Sequence, residues 1–298
     1  MRLTGRFLLM VALLGALVPD ARAQADAAPT AIRFYRAESA DGRVTFFYPS
    51  FHLRDARVPR PPMAMLDRVK RLVLEADIAE AKAHPEALTR YILSPKPLDL
   101  AKLFTAAEIA GIRSRAACNG LAPMVEGLRL SFIAMMVALP CPKADGGSYE
   151  EEVERAAQGR SLEITALESA EEEFAAMAAL PDRLFIEEIR EVAGDLDAED
   201  RLLMRMIALY NVGDLDALYD LTMKHGMART ADRRLFVDKV LVERNRKMVR
   251  RLADVLDRGE ALVIVGALHF PGKDGIVELL KRRGFKVASL AVLNGELR

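Results

Sequence analysis

The chain has 298 residues, and its 43 lysines and arginines balance 43 aspartates and glutamates. This balance leaves no bulk positive field, so composition gives no indication of a nucleic-acid partner or of attraction to an anionic membrane. We therefore expect no nucleic-acid partner, and the length fits one large domain or two small ones.

The N-terminal segment predicts a secretory signal peptide. A basic start at Arg2 and Arg6 precedes an apolar core at residues 7–18, and an A-x-A cleavage site ends at Ala23. The core is too short for a comfortable transmembrane span, and no later segment reaches about 18 uncharged apolar residues. We expect residues 24–298 to form a single α/β domain, periplasmic or secreted, without stable membrane insertion after cleavage.

A strand-helix-strand unit follows the signal peptide. Residues 44–48 (VTFFY) predict a strand that leads through Pro49 to His52, residues 63–71 a helix, and residues 72–74 a second strand. Such a crossover is typical of neighbouring parallel strands, whose carboxyl ends face the ligand-binding edge of an open α/β sheet.

The middle of the chain, approximately residues 80–240, predicts a large helical insertion. Apolar residues recur at spacings of three and four over residues 98–112, 124–137, 171–180, 198–210 and 215–223. A short strand is predicted at residues 162–167, before Glu168. The run Glu150-Glu151-Glu152 predicts a solvated first turn of a helix, where negative charge is favoured.

Cys118 and Cys141 are the only cysteines of the chain. In an exported protein such a pair can form a disulfide, which here would lie within the helical middle. Neither cysteine belongs to a C-x-x-C pair or neighbours a histidine, which disfavours a metal role. A free, buried pair is the alternative.

A second strand-helix-strand unit closes the sequence. Residues 261–268 (ALVIVGAL) predict a buried strand that ends next to His269, residues 275–283 a helix, and residues 285–292 another strand. The mixed central sheet is thus expected to come from two such units, with the helical insertion between them.

His52 and His269 follow the first strands of the two units at equivalent places. Imidazole is the commonest protein metal ligand and titrates near neutrality, so this pair predicts a metal or acid–base site. Two satisfied histidines at strand ends are the alternative. The other two histidines, His84 and His225, lie in polar or turn-like segments and indicate no chemistry.

Residues 240–256 predict a strong amphipathic helix that leads into the second unit. Arg244 and Asn245 lie in it one to two turns before the sheet, close enough to face the crevice and hold an anionic or carbonyl group. Solvated side chains on the outer face are the alternative.

These segments resemble the TraB/PrgY/GumN family, which includes the Tiki metalloproteases. The C-terminal part of the resemblance is Glu243-Arg244-Asn245, followed by V-G-A-L-H-F-P-G at residues 265–272. At the front, His52 stands for the histidine of the G-x-x-H motif of the family, and Glu75 for the glutamate that ends its next strand. Residues 166–168 (ALE) resemble the G-L-E segment of the family.

The resemblance implies an α/β fold related to the erythromycin esterase and ChaN-like group. It also implies a metal-dependent hydrolase, a peptidase in the Tiki-type members, with a peptide or small molecule as substrate. Carried over, His52, Glu75 and His269 become ligands of a divalent ion (Mn, Co or Zn), with Glu75 a ligand or general base. Arg244 and Asn245 would orient substrate or stabilise an oxyanion.

One departure from the family pattern lies in the first motif, which reads P-S-F-H instead of G-x-x-H. Pro49 fixes φ and removes an N–H donor where the family has glycine, which puts the approach of His52 in doubt. The alternative function is therefore a periplasmic binding protein or pseudoenzyme, with the crevice open to a peptide, a haem-like cofactor or a partner. Glu168 is either near this site or a buried structural carboxylate, and the oligomeric state stays open.

Overall fold

The computed structural model describes residues 31–141, 148–225, 233–293 and 296–297 of the chain. The predicted signal peptide and its cleavage site at Ala23 lie outside these ranges. Seven strands form one sheet: β1 Ala31–Glu38, β2 Val44–Ser50, β3 Arg71–Asp77, β4 Glu163–Ser169, β5 Ala261–Gly266, β6 Lys286–Leu293 and the two-residue β7 Glu296–Leu297.

The sheet is mixed, with the strand order β4-β3-β5-β2-β1-β6-β7. Strands β4, β3, β5 and β2 run parallel, whereas β1 pairs antiparallel with both β2 and β6. This confirms the expected α/β class with a mixed central sheet and a helical region between its strands.

The strand-helix-strand units do not supply neighbouring strands, so that part of the prediction is wrong. Strand β5 inserts between the strands of the first unit, where Leu262 lies opposite Phe46 of β2 and Leu72 of β3. In the second unit β6 pairs with β1 rather than with β5. As a result, the carboxyl ends of β2, β5 and β3 lie side by side at one edge.

The central strand β5 is buried at all six positions. An uninterrupted apolar run is typical of a parallel strand that is covered on both faces. On one face Val263 and Val265 pack with Phe47 and Phe270, and on the other Leu262 and Ile264 pack with Tyr48. The sheet therefore provides a rigid base for the residues that follow its strand ends.

Fourteen α-helices lie within the described ranges. They are α1 Ile78–Ala83, α2 Pro85–Ile92, α3 Leu100–Leu103, α4 Ala106–Cys118, α5 Leu130–Ala138, α6 Tyr149–Gln158, α7 Ala170–Ala178, α8 Asp182–Gly194, α9 Leu196–Asn211, α10 Leu215–Thr222, α11 Arg233–Phe236, α12 Glu243–Arg251, α13 Ala253–Arg258 and α14 Ile276–Arg282. No helix of this part of the chain combines the length and apolar content that a membrane span needs.

Helices α4, α5 and α8 build a second core within the insertion, around Ile112, Ile133 and Ile189. The predicted disulfide is confirmed: Cys118 at the end of α4 is bonded to Cys141, a sequence separation of 23 residues. Closing a loop of this length lowers the entropy of the unfolded chain and stabilises the fold by about 3 kcal/mol in the chain-entropy model.

The predicted helix at residues 240–256 is interrupted twice. A π-helical turn, Val237–Val242, precedes α12, and α12 ends at Arg251 before α13 begins. A π-helical turn changes the direction in which following side chains point, and such turns are frequent at functional sites. Arg244 and Asn245 lie in the first turn of α12 and are both buried.

Candidate functional site at the carboxyl edge of the sheet

The structure brings the three predicted ligands together at the carboxyl edge of the sheet. Glu75 is the fifth residue of β3, His52 follows β2 by two residues, and His269 ends a 3-10 turn that follows β5. The Nε2 atom of His52 lies 3.3 Å from Glu75 Oε2, and that of His269 lies 3.5 Å from Glu75 Oε1. Both imidazoles thus face one buried carboxylate.

His269 is buried and is held by Asn245. The side-chain amide of Asn245 donates through Nδ2 to the carbonyl of Asp274 (2.9 Å), which fixes its orientation and turns Oδ1 toward His269 Nδ1, 2.6 Å away. Since an amide oxygen only accepts hydrogen bonds, Nδ1 of His269 carries the proton. The other ring nitrogen, Nε2, faces Glu75.

His52 is held in the same way by a carboxylate. Its Nδ1 lies 2.9 Å from Glu150 Oε1, and the backbone N–H of His52 donates to Ser50 Oγ (3.1 Å). The residue has a left-handed backbone, with φ of 56°. Its side chain remains 49% exposed, so the ring lies in a cleft that solvent can enter.

The charges around His52 oppose the effect of burial. Burial in the cleft alone would lower the pKa of His52, but the carboxylates of Glu150 and Glu75 outweigh it and hold the pKa well above its usual value. Conversely, burial alone would raise the pKa of Glu75. The imidazoles of His269 and His52 hold it well below its ordinary value, so Glu75 is a carboxylate.

Glu150 is a residue of this site that the sequence interpretation missed. The prediction of a solvated Glu150 is wrong: only 6% of the residue is exposed, and its Oε1 accepts hydrogen bonds from Ser50 and His52. Glu150, Val153 and Ala157 are all buried in α6, at helical spacing on one face. That spacing, together with the capping box that starts the helix at Ser148, is the sequence signal that could have found it.

Arg244 joins the site from α12. Its Nη2 donates to Glu75 Oε1 (2.6 Å) and its Nε donates to Glu168 Oε2 (2.8 Å), and Glu173 Oε1 lies 3.9 Å from Nη2. Glu168 is thus a buried carboxylate that holds Arg244, as well as a neighbour of the site. Arg244 and Asn245, which we predicted to face substrate, bond directly to Glu75 and His269 and fix their orientation.

Gly266 makes the close approach of these groups possible. A Cβ atom at this position would lie 2.6 Å from His52 Nε2 and 3.3 Å from Glu75 Oε2. The Gly266 N–H also donates to Glu75 Oε2 (2.6 Å). The glycine of the second motif therefore leaves room for the histidine of the first.

Pro49 does not remove His52 from the site. It lies opposite Val265 of β5, and the β1–β2 ladder ends at Phe47, so the end of β2 can carry a residue without an N–H. The Pro49 carbonyl accepts a hydrogen bond from the hydroxyl of Tyr210 (2.8 Å). The altered first motif is thus anchored from α9, while the histidine reaches Glu75.

His52, Glu75 and His269 are of residue types that bind divalent ions, but they are not arranged as a complete coordination site. Within the described ranges, no group of three or more histidine, cysteine, aspartate or glutamate side chains is arranged to hold an ion. Two ligands of a tetrahedral ion with bonds of about 2.1 Å lie about 3.4 Å apart, close to both Nε2–Glu75 distances. Arg244 and Gly266 each occupy one lone pair of Glu75, which leaves further lone pairs.

The fold and the site define a mixed α/β protein whose crevice carries two oriented histidines around a buried glutamate. A model of the TraB/PrgY/gumN family matches residues 34–289, nearly the whole of the described chain, and the protein belongs to this family. Comparison with the curated proteins and with the solved structures gave no match.

Proposed function

We propose that the protein is an exported, metal-dependent hydrolase that acts on peptides. Export is the expectation from the predicted signal peptide, and the peptide substrate class is what the family resemblance implies. His52, Glu75 and His269 are the proposed ligands of one divalent ion, for which Mn, Co and Zn are the candidates.

One observation carries the proposal: both imidazoles have Nδ1 occupied and Nε2 directed at the same carboxylate. Metal-binding histidines in proteins almost always donate their other ring N–H to a carboxylate or a carbonyl, which fixes the tautomer and raises ligand basicity. In the crevice the carboxylate of Glu150 contacts Nδ1 of His52, and the amide oxygen of Asn245 contacts Nδ1 of His269.

The residues of the crevice have separate proposed roles in hydrolysis. A divalent ion bound there supplies Lewis-acid activation of water near neutral pH. Arg244, which is held by Glu168, keeps Glu75 oriented and adds positive charge next to any oxygen that gains negative charge.

Glu173 is placed to transfer a proton. Burial in the wall of the cleft raises the pKa of Glu173, and this effect is larger than the lowering caused by the charge of Arg244. The side chain of Glu173 is 40% exposed, so it also reaches the cleft. A carboxyl group that keeps its proton closer to neutral pH and reaches the cleft can protonate a leaving amine. Glu173 is therefore the proposed general acid.

A second candidate is a binding protein without turnover, the alternative expected from Pro49. The observation that favours it is the occupation of Glu75, whose two oxygens already accept hydrogen bonds from Arg244 and Gly266. With this ion pair in place, the crevice would bind a ligand through Arg244 and the histidines without activating water.

Hydrolysis assays with metal reconstitution separate the two candidates. The purified mature chain is treated with a chelator, reloaded with manganese, cobalt or zinc, and given a mixture of unstructured peptides whose cleavage is followed by mass spectrometry. We expect cleavage that depends on the added ion and is lost in Glu75→Gln, with Glu163→Gln on the exposed end of β4 as the control. Peptide binding without cleavage under all three ions would replace the hydrolase by the binding protein.

A further inference from the structure

The Cys118–Cys141 disulfide lies at the surface of the helical insertion. Both cysteines are exposed, and the bond joins the last residue of α4 to the segment that follows α5. Exposed disulfides are more often the labile, regulatory or catalytic ones, because a thiolate from outside can reach their sulfur atoms. Reductants therefore have access to this bond while the protein is folded.

The helices on either side of the bond are also held by apolar packing. Ala116 of α4 and Val137 of α5 are fully buried and belong to the same core of the insertion. Opening the bond leaves this core in place and gives up the loop-closure contribution to stability. The disulfide can hence be reduced while the insertion stays folded.

A buried cation lies beside the sulfur of Cys141. Arg115, in the last turn of α4, is only 4% exposed, and its Nη1 lies 3.9 Å from Cys141 Sγ. Its Nη2 donates to Asp200 Oδ1 (2.6 Å), but the Asp200 side chain is 51% exposed, so solvent screens its charge. The Nε atom of Arg115 is buried and has no hydrogen-bond partner among the described residues. Arg115 is thus a buried charge with unused hydrogen-bonding capacity next to Cys141.

The sulfur of Cys118 has the opposite surroundings. It lies 3.3 Å from the carbonyl oxygen of Arg115, at the C-terminal end of a 13-residue helix. The partial negative charge of a helix C-terminus disfavours a thiolate at this place. The Asn119 amide does not offset this effect, because its Nδ2 donates to the same carbonyl (2.7 Å) and lies 3.8 Å from the sulfur. Negative charge is therefore favoured on Cys141 over Cys118.

This asymmetry decides which sulfur leaves when the bond opens. We propose that Cys118–Cys141 is a redox site that undergoes reversible thiol–disulfide exchange with a dithiol reductant. The sulfur that carries negative charge more easily is the better leaving group, so the attack falls on Cys118 and Cys141 leaves. Arg115 supplies the charge-assisted hydrogen bond that stabilises the Cys141 thiolate.

The exchange takes two steps. A thiolate of the reductant attacks Sγ of Cys118, the S–S bond breaks, and its electron pair leaves on Cys141. The second thiolate of the reductant then attacks the sulfur of the reductant in the mixed disulfide, which releases Cys118. Cys118 takes a proton from water, the chain has gained two electrons, and the reductant has become a disulfide. The residues of this redox site are separate from those of the crevice, so the proposal does not depend on hydrolysis.

Trapping of the mixed disulfide shows which sulfur is attacked. The probe is a thioredoxin variant in which serine replaces the second cysteine of the C-x-x-C pair, so the exchange with the oxidised mature chain stops after the first step. Tryptic cleavage after Arg129 of the acid-quenched product separates the two cysteines, and mass spectrometry locates the attached thioredoxin peptide. We expect the mixed disulfide on Cys118 in at least about tenfold excess over Cys141.

Two variants break the same ion pair and separate charge from stability. In Arg115→Gln the rate of reduction by wild-type thioredoxin should fall about tenfold or more, and the equilibrium should shift about tenfold, or about 30 mV, toward the disulfide. In Asp200→Asn the cation remains and its opposing charge is gone, so reduction should be as fast as in the wild type or faster. Arg113→Gln, an exposed arginine of α4 that pairs with Glu126, is the control and should react like the wild type.

The proposal is overturned by any of three results. The first is a folded wild-type protein that thioredoxin does not reduce, although it reduces the urea-unfolded chain. The second is a mixed disulfide formed mainly on Cys141. The third is a rate in Arg115→Gln equal to that of the wild type, or equally slowed rates in Arg115→Gln and Asp200→Asn. Far-UV circular dichroism checks the fold of each variant, and the trapping experiment decides even if Arg115→Gln does not fold.

Discussion

The two histidines of the crevice reach the same carboxylate from two different surroundings. His269 is buried, is the last residue of a short 3-10 turn, and is held by a neutral amide that is itself fixed by a backbone carbonyl. His52 is half exposed, has a left-handed backbone, and is held by a charged carboxylate. The comparison shows a fixed side and an open side: His269 is the buried, rigidly held imidazole, and His52 faces the solvent.

The largest effect, on both the fixed side and the open side of the crevice, is expected from Gly266→Ala. The backbone of Gly266 (φ −52°, ψ 138°) suits alanine, so the new methyl group acts only through its contact with His52 and Glu75. A displacement of about 1 Å in such a site costs on the order of 100-fold in activity, and we expect at least this loss in peptide hydrolysis, together with loss of bound ion.

The matched control is Gly194→Ala, at the end of α8, where an added Cβ meets nothing within 4 Å. It should keep both activity and ion content. Normal ion content in a folded Gly266→Ala protein would show that His52 and Glu75 do not need their close approach.

The fixed side is tested by Asn245→Ala. This change leaves the buried Nδ1–H of His269 without its acceptor and frees the ring to rotate. Losing such a partner typically costs 10–100-fold in metal affinity, and burial places the expected loss at the upper end. Calorimetric titration of the chelator-treated protein with zinc measures it. Asn119→Ala, whose amide bonds to the Arg115 carbonyl far from the crevice, is the control and should bind zinc normally.

The open side is tested by Glu150→Gln. Glutamine keeps an oxygen that can accept from His52 Nδ1, and solvent reaches His52, so the loss of zinc affinity should be about tenfold and smaller than that of Asn245→Ala. The same titration measures it, with Glu154→Gln on the same helix as control. A larger loss in Glu150→Gln than in Asn245→Ala would reverse the assignment of fixed and open sides.

The smallest expected effect concerns Glu172. It is adjacent in sequence to Glu173 of the crevice but has no proposed role in hydrolysis. Hydrogen bonds from Arg251 and then Lys247 overcome the effect of burial and lower the pKa of Glu172 to about 2. Its stabilising contribution is complete above the unfolded-state pKa, about 4.3, and is lost as the pH falls toward 2. Because 31% of the Glu172 side chain is exposed and solvent screens its ion pairs, we expect less than about 1 kcal/mol.

Urea unfolding of wild type and Glu172→Gln at pH 6 and pH 2.5 measures this contribution. The difference in unfolding free energy should be complete at pH 6 and clearly smaller at pH 2.5, where Glu172 is only partly protonated in the folded protein, while zinc affinity at pH 7 stays unchanged. A loss of zinc affinity in this variant would show that charge changes around α7 disturb the crevice without touching it.

Part of this arrangement could be predicted from the sequence. The apolar run of β5 and the position of His269 after it indicate a buried strand that ends at the ligand-binding edge, and the structure has both. The strand order could not be predicted, because periodicity identifies a strand without naming its partners. Strand β5 pairs with β2 and β3 from the other end of the chain, and this insertion places Gly266 between His52 and Glu75.

The residues that orient the site were harder to predict. Three consecutive glutamates indicate solvated charge, and only the helical spacing of Glu150 with Val153 and Ala157 reveals that it points inward. For Arg244 and Asn245 the sequence indicates a position near the crevice, while their partners depend on side-chain geometry that spacing does not contain. A buried arginine between Glu75 and Glu168 is visible only in three dimensions.

Elemental analysis of the natively purified mature protein decides whether the two unlike histidines act together on one ion. We predict close to one manganese, cobalt or zinc ion per chain, retained through gel filtration and absent from both His52→Ala and His269→Ala. If the protein contains no divalent ion even after all three are supplied, or keeps its ion in both variants, the histidines and Glu75 are not a metal centre.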